Sequence, residues 1–164
     1  MHAIMAGGIR PAVAHDAGRM AELAEQKRED YKRHAPTFHR PKEGARAGHR
    51  RFLGSLIEDE GKITLVHEAE DGHVDGFIVG MLIQAPPVYD PGGLTCLVDD
   101  FIVEAPSLWA SVGAGLLAET IVQAQPRGAV QTVVVCSPHD AAKRSMLGAT
   151  GHVVASEWHT KPFA

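Results

Sequence analysis

From Asp16 to Lys32 the apolar positions Ala17, Met20, Leu23 and Ala24 recur at helical spacing, while Arg19, Glu22 and Glu25 hold the opposite face. That pattern predicts a surface helix. Pro36 and Pro41 end it, and a second stripe, Ala45, Phe52, Leu53, Leu56 and Ile57, predicts another helix reaching about Glu58. A short strand at Ile9–Ala12 precedes both. From Lys62 the period changes: Ile63–Glu68 and Val74–Leu82 are rich in β-branched residues and flank Glu70-Asp71-Gly72, which predicts a hairpin. A loop holding Pro86, Pro87, Pro91, Gly92 and Gly93 leads to the strand-like run Thr95–Val103, followed by a long helix over about Ser111–Gln125. Pro126-Arg127-Gly128 breaks that helix, and Val130–Cys136 reads as an apolar strand buried on both faces. A short helix is expected from Pro138, with Ser137 as its cap and Asp140 three residues on, as in a capping box. A strand near Val153–Lys161 closes the chain.

Read in order, this is β-α-α-β-β-β-α-β-α-β, an α/β (α+β) single domain with a mixed, mostly antiparallel sheet. The helical crossover requires Thr95–Val103 and Val130–Cys136 to lie side by side and parallel. Residues 1–8 are expected to be a flexible lead-in and residues 9–164 the folded domain.

Composition narrows the function classes. A chain of 164 residues with 45% hydrophobic content can bury one self-sufficient core. A net charge of -4 argues against binding nucleic acid through overall charge. No apolar run is long enough to span a membrane and the amino end lacks a signal-peptide pattern, so a cytoplasmic location is expected. Cys96 and Cys136 lie far apart in apolar stretches and read as reduced core residues. The 10 histidines show no helical H-x-x-x-H or H-E-x-x-H spacing, so no metal site is expected. The segment Lys32–Arg51 sets seven Lys/Arg against Glu43 alone, which suits either an anion-holding face or a solvated helix face.

The stretch from Val98 to Leu117, beginning Val98-Asp99-Asp100-Phe101, resembles the GCN5-related N-acetyltransferases, and the order of elements extends that resemblance over nearly the whole chain. Ile9-Arg10-Pro11-Ala12, Gly76-Phe77-Ile78-Val79-Gly80, Ala149-Thr150-Gly151 and Glu157-Trp158 are similar to the polyamine-acetyltransferase branch. The resemblance implies transfer of an acetyl group from acetyl-CoA to a primary amine of a small molecule or protein, by a homodimer. It also implies a pyrophosphate loop of pattern Q/R-x-x-G-x-G/A at a helix start, where free amides and the helix dipole hold an anion. Here Leu108 replaces the Gln or Arg, Ser111 replaces the first glycine, and Gly113 conforms. The expected coenzyme set is Phe101, Ile102 and Val103, whose amides would face the oxyanion, then Leu108, Trp109, Ala110, Ser111, Val112, Gly113 and Ala114, with Asp140. The pyrophosphate is expected at the amides of Ala110 to Ala114. Gly113 and Gly115 suit close helix packing equally well.

By the same resemblance, a carboxylate on the central strand takes the amine's proton through water. Asp99 is the first choice and Asp100 the second, since strand alternation points them to opposite faces. The family's general acid is a tyrosine in the last helix, in the motif N-x-x-A-x-x-x-Y-x-x-x-G. Here Asp140 takes the asparagine's place and Leu147 the tyrosine's. The acid role is then expected to fall to water, to Ser145 nearby, or to no group at all. A coenzyme-binding module without catalysis is the alternative of a different class.

Overall fold

The computed structural model describes residues 7–164. Residues 1–6 of the expected lead-in lie outside the described residues. Gly8 already belongs to the first strand, β1 (Gly8–Pro11), where it pairs with Glu68. The helices α1 (Ala17–Lys32) and α2 (Ala45–Glu58) follow, then β2 (Lys62–Glu68), β3 (Val74–Ile83) and β4 (Leu94–Val103). Helical turns at Pro106–Leu108 and Trp109–Gly113 run into α3 (Ala114–Ala124), and β5 (Ala129–Val134) and α4 (Ala141–Ala149) complete the order.

The five strands stand in sequence order, β1 to β4 antiparallel and β5 parallel to β4. This is the mixed sheet the crossover demanded. Each face of the sheet has its own core. Met20, Leu23, Leu53, Leu56, Val66, Phe77 and Ile102 fill the side under α1 and α2. Ile63, Ile78, Val98, Phe101, Leu116, Leu117 and Met146 fill the side under α3 and α4. Burial of this apolar surface, at roughly 25 cal/mol per Å², holds the layers together.

The run Gly76-Phe77-Ile78-Val79-Gly80 has a packing cause. Gly76 and Gly80 face α3: a Cβ on Gly76 would lie 3.0 Å from Val112, and one on Gly80 would lie 2.9 Å from Thr120. Small residues at these two points let the helix settle onto the sheet.

Three expectations are corrected. No strand forms among residues 152–164, and Val153 and Val154 are 88% and 67% exposed. β-branched residues favour a strand only where a neighbour supplies the ladder, and here the chain leaves α4 through Gly151 (φ 86°) without running along β5. For the same reason β5 is an edge strand and is not buried on both faces; Val130, Val133 and Val135 are exposed. Finally, Ser137 does not cap α4. Asp140 does, accepting from the Lys143 amide at 3.3 Å, while the Ser137 hydroxyl accepts from the His139 amide at 3.2 Å within the preceding turn.

Candidate active site

The parallel pairing of β4 with β5 stops where Val135 N–H donates to the Val98 carbonyl at 2.9 Å, yet β4 continues to Val103. The strands part there. Ile78 faces Phe101 and Gly80 faces Val98, so Val79 alone opposes both Asp99 and Asp100. This is a β-bulge, and it breaks the simple alternation expected of the two carboxylates. It also shifts the pleat: Cys96 and Val98 before the bulge, and Phe101 and Val103 after it, all face the α3 side.

Asp100 is the carboxylate built into a network. It lies 3.3 Å from His49 Nε2, and Arg28 donates to His49 Nδ1 at 2.9 Å. An arginine can only donate, so in this arrangement Nδ1 is bare and Nε2 carries the proton that Asp100 accepts. Burial works against the Asp100 charge, but His49, Lys27 and Arg28 outweigh it and hold the carboxyl below its ordinary range. Asp100 thus stays an anion with 21% of its side chain open to solvent. Asp99 is exposed, and its carbonyl is met by Lys27 Nζ at 3.4 Å.

The strand edge beyond the parting is asymmetric. Lys143 Nζ donates to the Phe101 carbonyl at 3.1 Å, and the Glu104 amide donates to Asp75 on the β3 side at 2.7 Å. Successive residues of a strand present their backbone groups to opposite edges. Phe101 and Val103 therefore turn their amides into the parting, and Ile102 turns its amide toward β3. Ile102 is thus corrected as an oxyanion donor, whereas Phe101 and Val103 keep the orientation that role needs.

The expected pyrophosphate loop is wound into helical turns. The Leu108 amide donates to Ala105, that of Trp109 to Pro106 and that of Ala114 to Ser111 and Trp109. Ala114 is corrected as a phosphate donor on that ground. Ala110 and Ser111 are exposed at the head of the turn, while Trp109, Val112 and Gly113 are buried. Gly113 has a steric cause: a Cβ there would lie 2.5 Å from the Trp109 ring, one helical turn back. Gly115 similarly faces Ile9, 3.2 Å from a built Cβ.

On α4, Leu147 is buried in the α3-side core and Ser145 is exposed on the other face. Ser145 is therefore removed as a source of the missing acid. Asp140 accepts from Tyr31 Oη at 2.7 Å, which ties the end of α1 to the start of α4. Burial and that carboxylate push the Tyr31 phenol upward, so it remains protonated. Cys136 is half-buried beside this group, and burial pushes its thiol up.

The residue that sequence reasoning missed is Lys143. It is fully buried, with Nζ 5.1 Å from the ring centres of both Phe101 and Trp109, which meet edge to face at 4.9 Å. The signal was present in the motif Asp140-Ala141-Ala142-Lys143, where the family pattern has alanine at the fourth place. Three of the seven cations of the basic segment Lys32–Arg51 pair with carboxylates of α1: Lys32 with Glu29, Arg33 with Asp30 and Arg46 with Glu25.

Solved structures share this overall fold. The tetramutant of the BH1408 protein from Bacillus halodurans superposes with a TM-score of 0.79 at 16% identity, covering 94% of this chain and 99% of that one. A GCN5-related N-acetyltransferase from Ralstonia eutropha JMP134 gives 0.72 at 18% identity, covering 96% and 98%. The fold is that of the GCN5-related N-acetyltransferases. A predicted acetyltransferase with acetyl-CoA from Clostridium acetobutylicum gives 0.71 at 15% identity, covering 95% and 96%. No protein-family model and no curated protein sequence matches the chain. Among the described residues no helix is long and apolar enough to cross a membrane.

Proposed function

We propose that this protein is an N-acetyltransferase that moves an acetyl group from acetyl-CoA to a primary amine. The observation that carries the reading is the parting of β4 from β5, with the Phe101 and Val103 amides turned into it next to the exposed head of the α3 turn. Those two amides suit a developing oxyanion. Ala110 and Ser111 would meet the coenzyme's phosphates, and the Ser111 hydroxyl adds a donor where the family pattern has glycine. The acyl end fits the parting once the Lys143 head leaves the Phe101 carbonyl, a movement within reach of a four-carbon side chain.

The resemblance named Asp99 first for the amine, and the network favours Asp100. A carboxylate held below its ordinary range is a weak base but a persistent anion, so Asp100 binds and orients the acceptor's ammonium, which sheds its proton to water before attack. Asp100→Asn is expected to raise KM for the amine about 10-fold, the worth of one charged hydrogen bond, with little change in kcat. Asp99→Asn is expected to change either constant less than twofold. Thiol-release kinetics over a panel of mono-, di- and polyamines checks this, and the opposite order would return the role to Asp99. We further propose a homodimer joined along the uncovered edge of β5, which sedimentation at working concentration tests.

Buried Leu147, with no proton to give, favours a second reading, a module that binds the coenzyme without transferring its acetyl group. Calorimetry with acetyl-CoA beside the thiol-release assay separates the two: binding without turnover on any amine selects the module.

A further inference from the structure

Resting on the acetyltransferase reading, we propose that Lys143 is the acid that protonates the sulfur of the departing coenzyme thiolate. Lys143 projects from the same face of α4 as Leu147, one turn nearer the helix start, since positions four apart stack along a helix. Its Nζ ends between α4 and the splayed part of β4, against the Phe101 carbonyl and the faces of Phe101 and Trp109. That is the strand edge whose amides would hold the oxyanion. A thioester carbonyl bound at the Phe101 or Val103 amide would bring its sulfur beside this ammonium, within reach of Nζ once its head has left the Phe101 carbonyl.

The step balances without a further reagent. The acceptor nitrogen attacks the thioester carbon and its proton passes to water. The tetrahedral intermediate then collapses, the C–S pair moves to sulfur, and an Nζ proton of Lys143 follows it, leaving a neutral amine that regains a proton from solvent.

The groups around Nζ suit the task. Burial pushes the ammonium down to about 7, and Lys27 of α1 pushes the same way; Cys136, Asp140 and Asp99 pull more weakly against them. An ordinary lysine near ~10.4 holds its proton more tightly than a thiol near ~8.5. At about 7 the order reverses, and transfer to a thiolate runs downhill. The aromatic faces stabilise the charged form in place of water, so the acid is held ready without being solvated.

The test combines variants with a measurement on the unaltered protein. With the best amine of the panel, wild-type kcat is expected to fall as pH rises through about 7. Lys143→Ala, which restores the alanine of the motif, and Lys143→Met are expected to lower kcat ~10²-fold and to abolish that falling limb, with acetyl-CoA affinity kept or improved. A Lys143→Ala protein that binds acetyl-CoA more tightly and turns over as fast as wild type would make the lysine a filler of the gap and overturn the proposal. Should both variants fail to fold, the Nζ resonance of isotope-labelled lysine in the wild type decides: titration near 7 that moves on adding coenzyme A supports the role, and a resonance indifferent to the coenzyme overturns it. A wild-type chain that binds no acetyl-CoA overturns the acetyltransferase reading itself, and the acid with it; binding and turnover with a flat pH profile overturns the acid alone.

Discussion

Gly113→Asp is expected to destabilise the protein by about 3 kcal/mol or more, the sum of overpacking a filled site and burying a carboxylate there. The position is helical, with φ -60° and ψ -50°, so backbone conformation is not the obstacle. The obstacle is Trp109. A Cβ would lie 2.5 Å from its Cε3 and 3.3 Å from its Cζ3, and the ring is itself held edge to face against Phe101. Moving the indole would also disturb the pocket around Lys143 Nζ. Denaturant unfolding measures the loss. A variant with wild-type stability but weakened acetyl-CoA binding would show that the glycine serves the phosphates and not the tryptophan. Ser111, exposed at the head of the same turn, is the position where the ligand can be probed without this penalty. Ser111→Ala is expected to leave the free energy of unfolding within about 0.5 kcal/mol of wild type.

Arg10→Met is expected to cost about 3 kcal/mol at neutral pH, near the lower end for breaking a buried ion pair, because the arginine is partly open to solvent. Asp16 is 3% exposed and accepts from Arg10 at 2.8 and 3.0 Å and from the Val13 amide at 2.8 Å. Burial resists its charge, but Arg10 and the Val13 amide overcome that resistance and hold the carboxyl below its ordinary range. A lowered folded-state value means that the group stabilises the fold above the unfolded value near ~3.9. That stabilisation is lost as pH falls through the folded value. In the variant the same carboxyl is buried without its partner, so ionising it opposes folding. The gap in unfolding free energy between wild type and variant should therefore be full at pH 7 and narrow below about pH 4. A gap that stays constant down to pH 3 would mean that lost packing of the Arg10 stem, and not the ion pair, carries the effect.

Arg10 shows how a motif can be legible while its cause is not. Ile9-Arg10-Pro11-Ala12 supported the family resemblance, and in the structure Arg10 joins Asp16 at the head of α1 to Glu68 on β2. The residue locks the first helix to the sheet. Gly76, Gly80 and Gly113 behave likewise: the spacing was visible in the sequence, while the side chains that require it, Val112, Thr120 and Trp109, come from other turns or elements.

What the sequence determined by itself was the kind and order of the elements from β1 to α4, since helical and strand periodicity are local properties of the chain, and the parallel β4–β5 pair followed from the handedness of the crossover. Tertiary structure alone decided which carboxylate enters a network, because the bulge at Asp99–Asp100 exists only through the register of β4 against β3. It also decided that residues 153–161 stay out of the sheet, since propensity cannot supply a partner strand. Lys143 is the sharpest case. From sequence it is one lysine in a short polar helix; α4 docking against the parted end of β4 removes its ammonium from water, turns it between two aromatic faces and lowers its pKa toward neutrality.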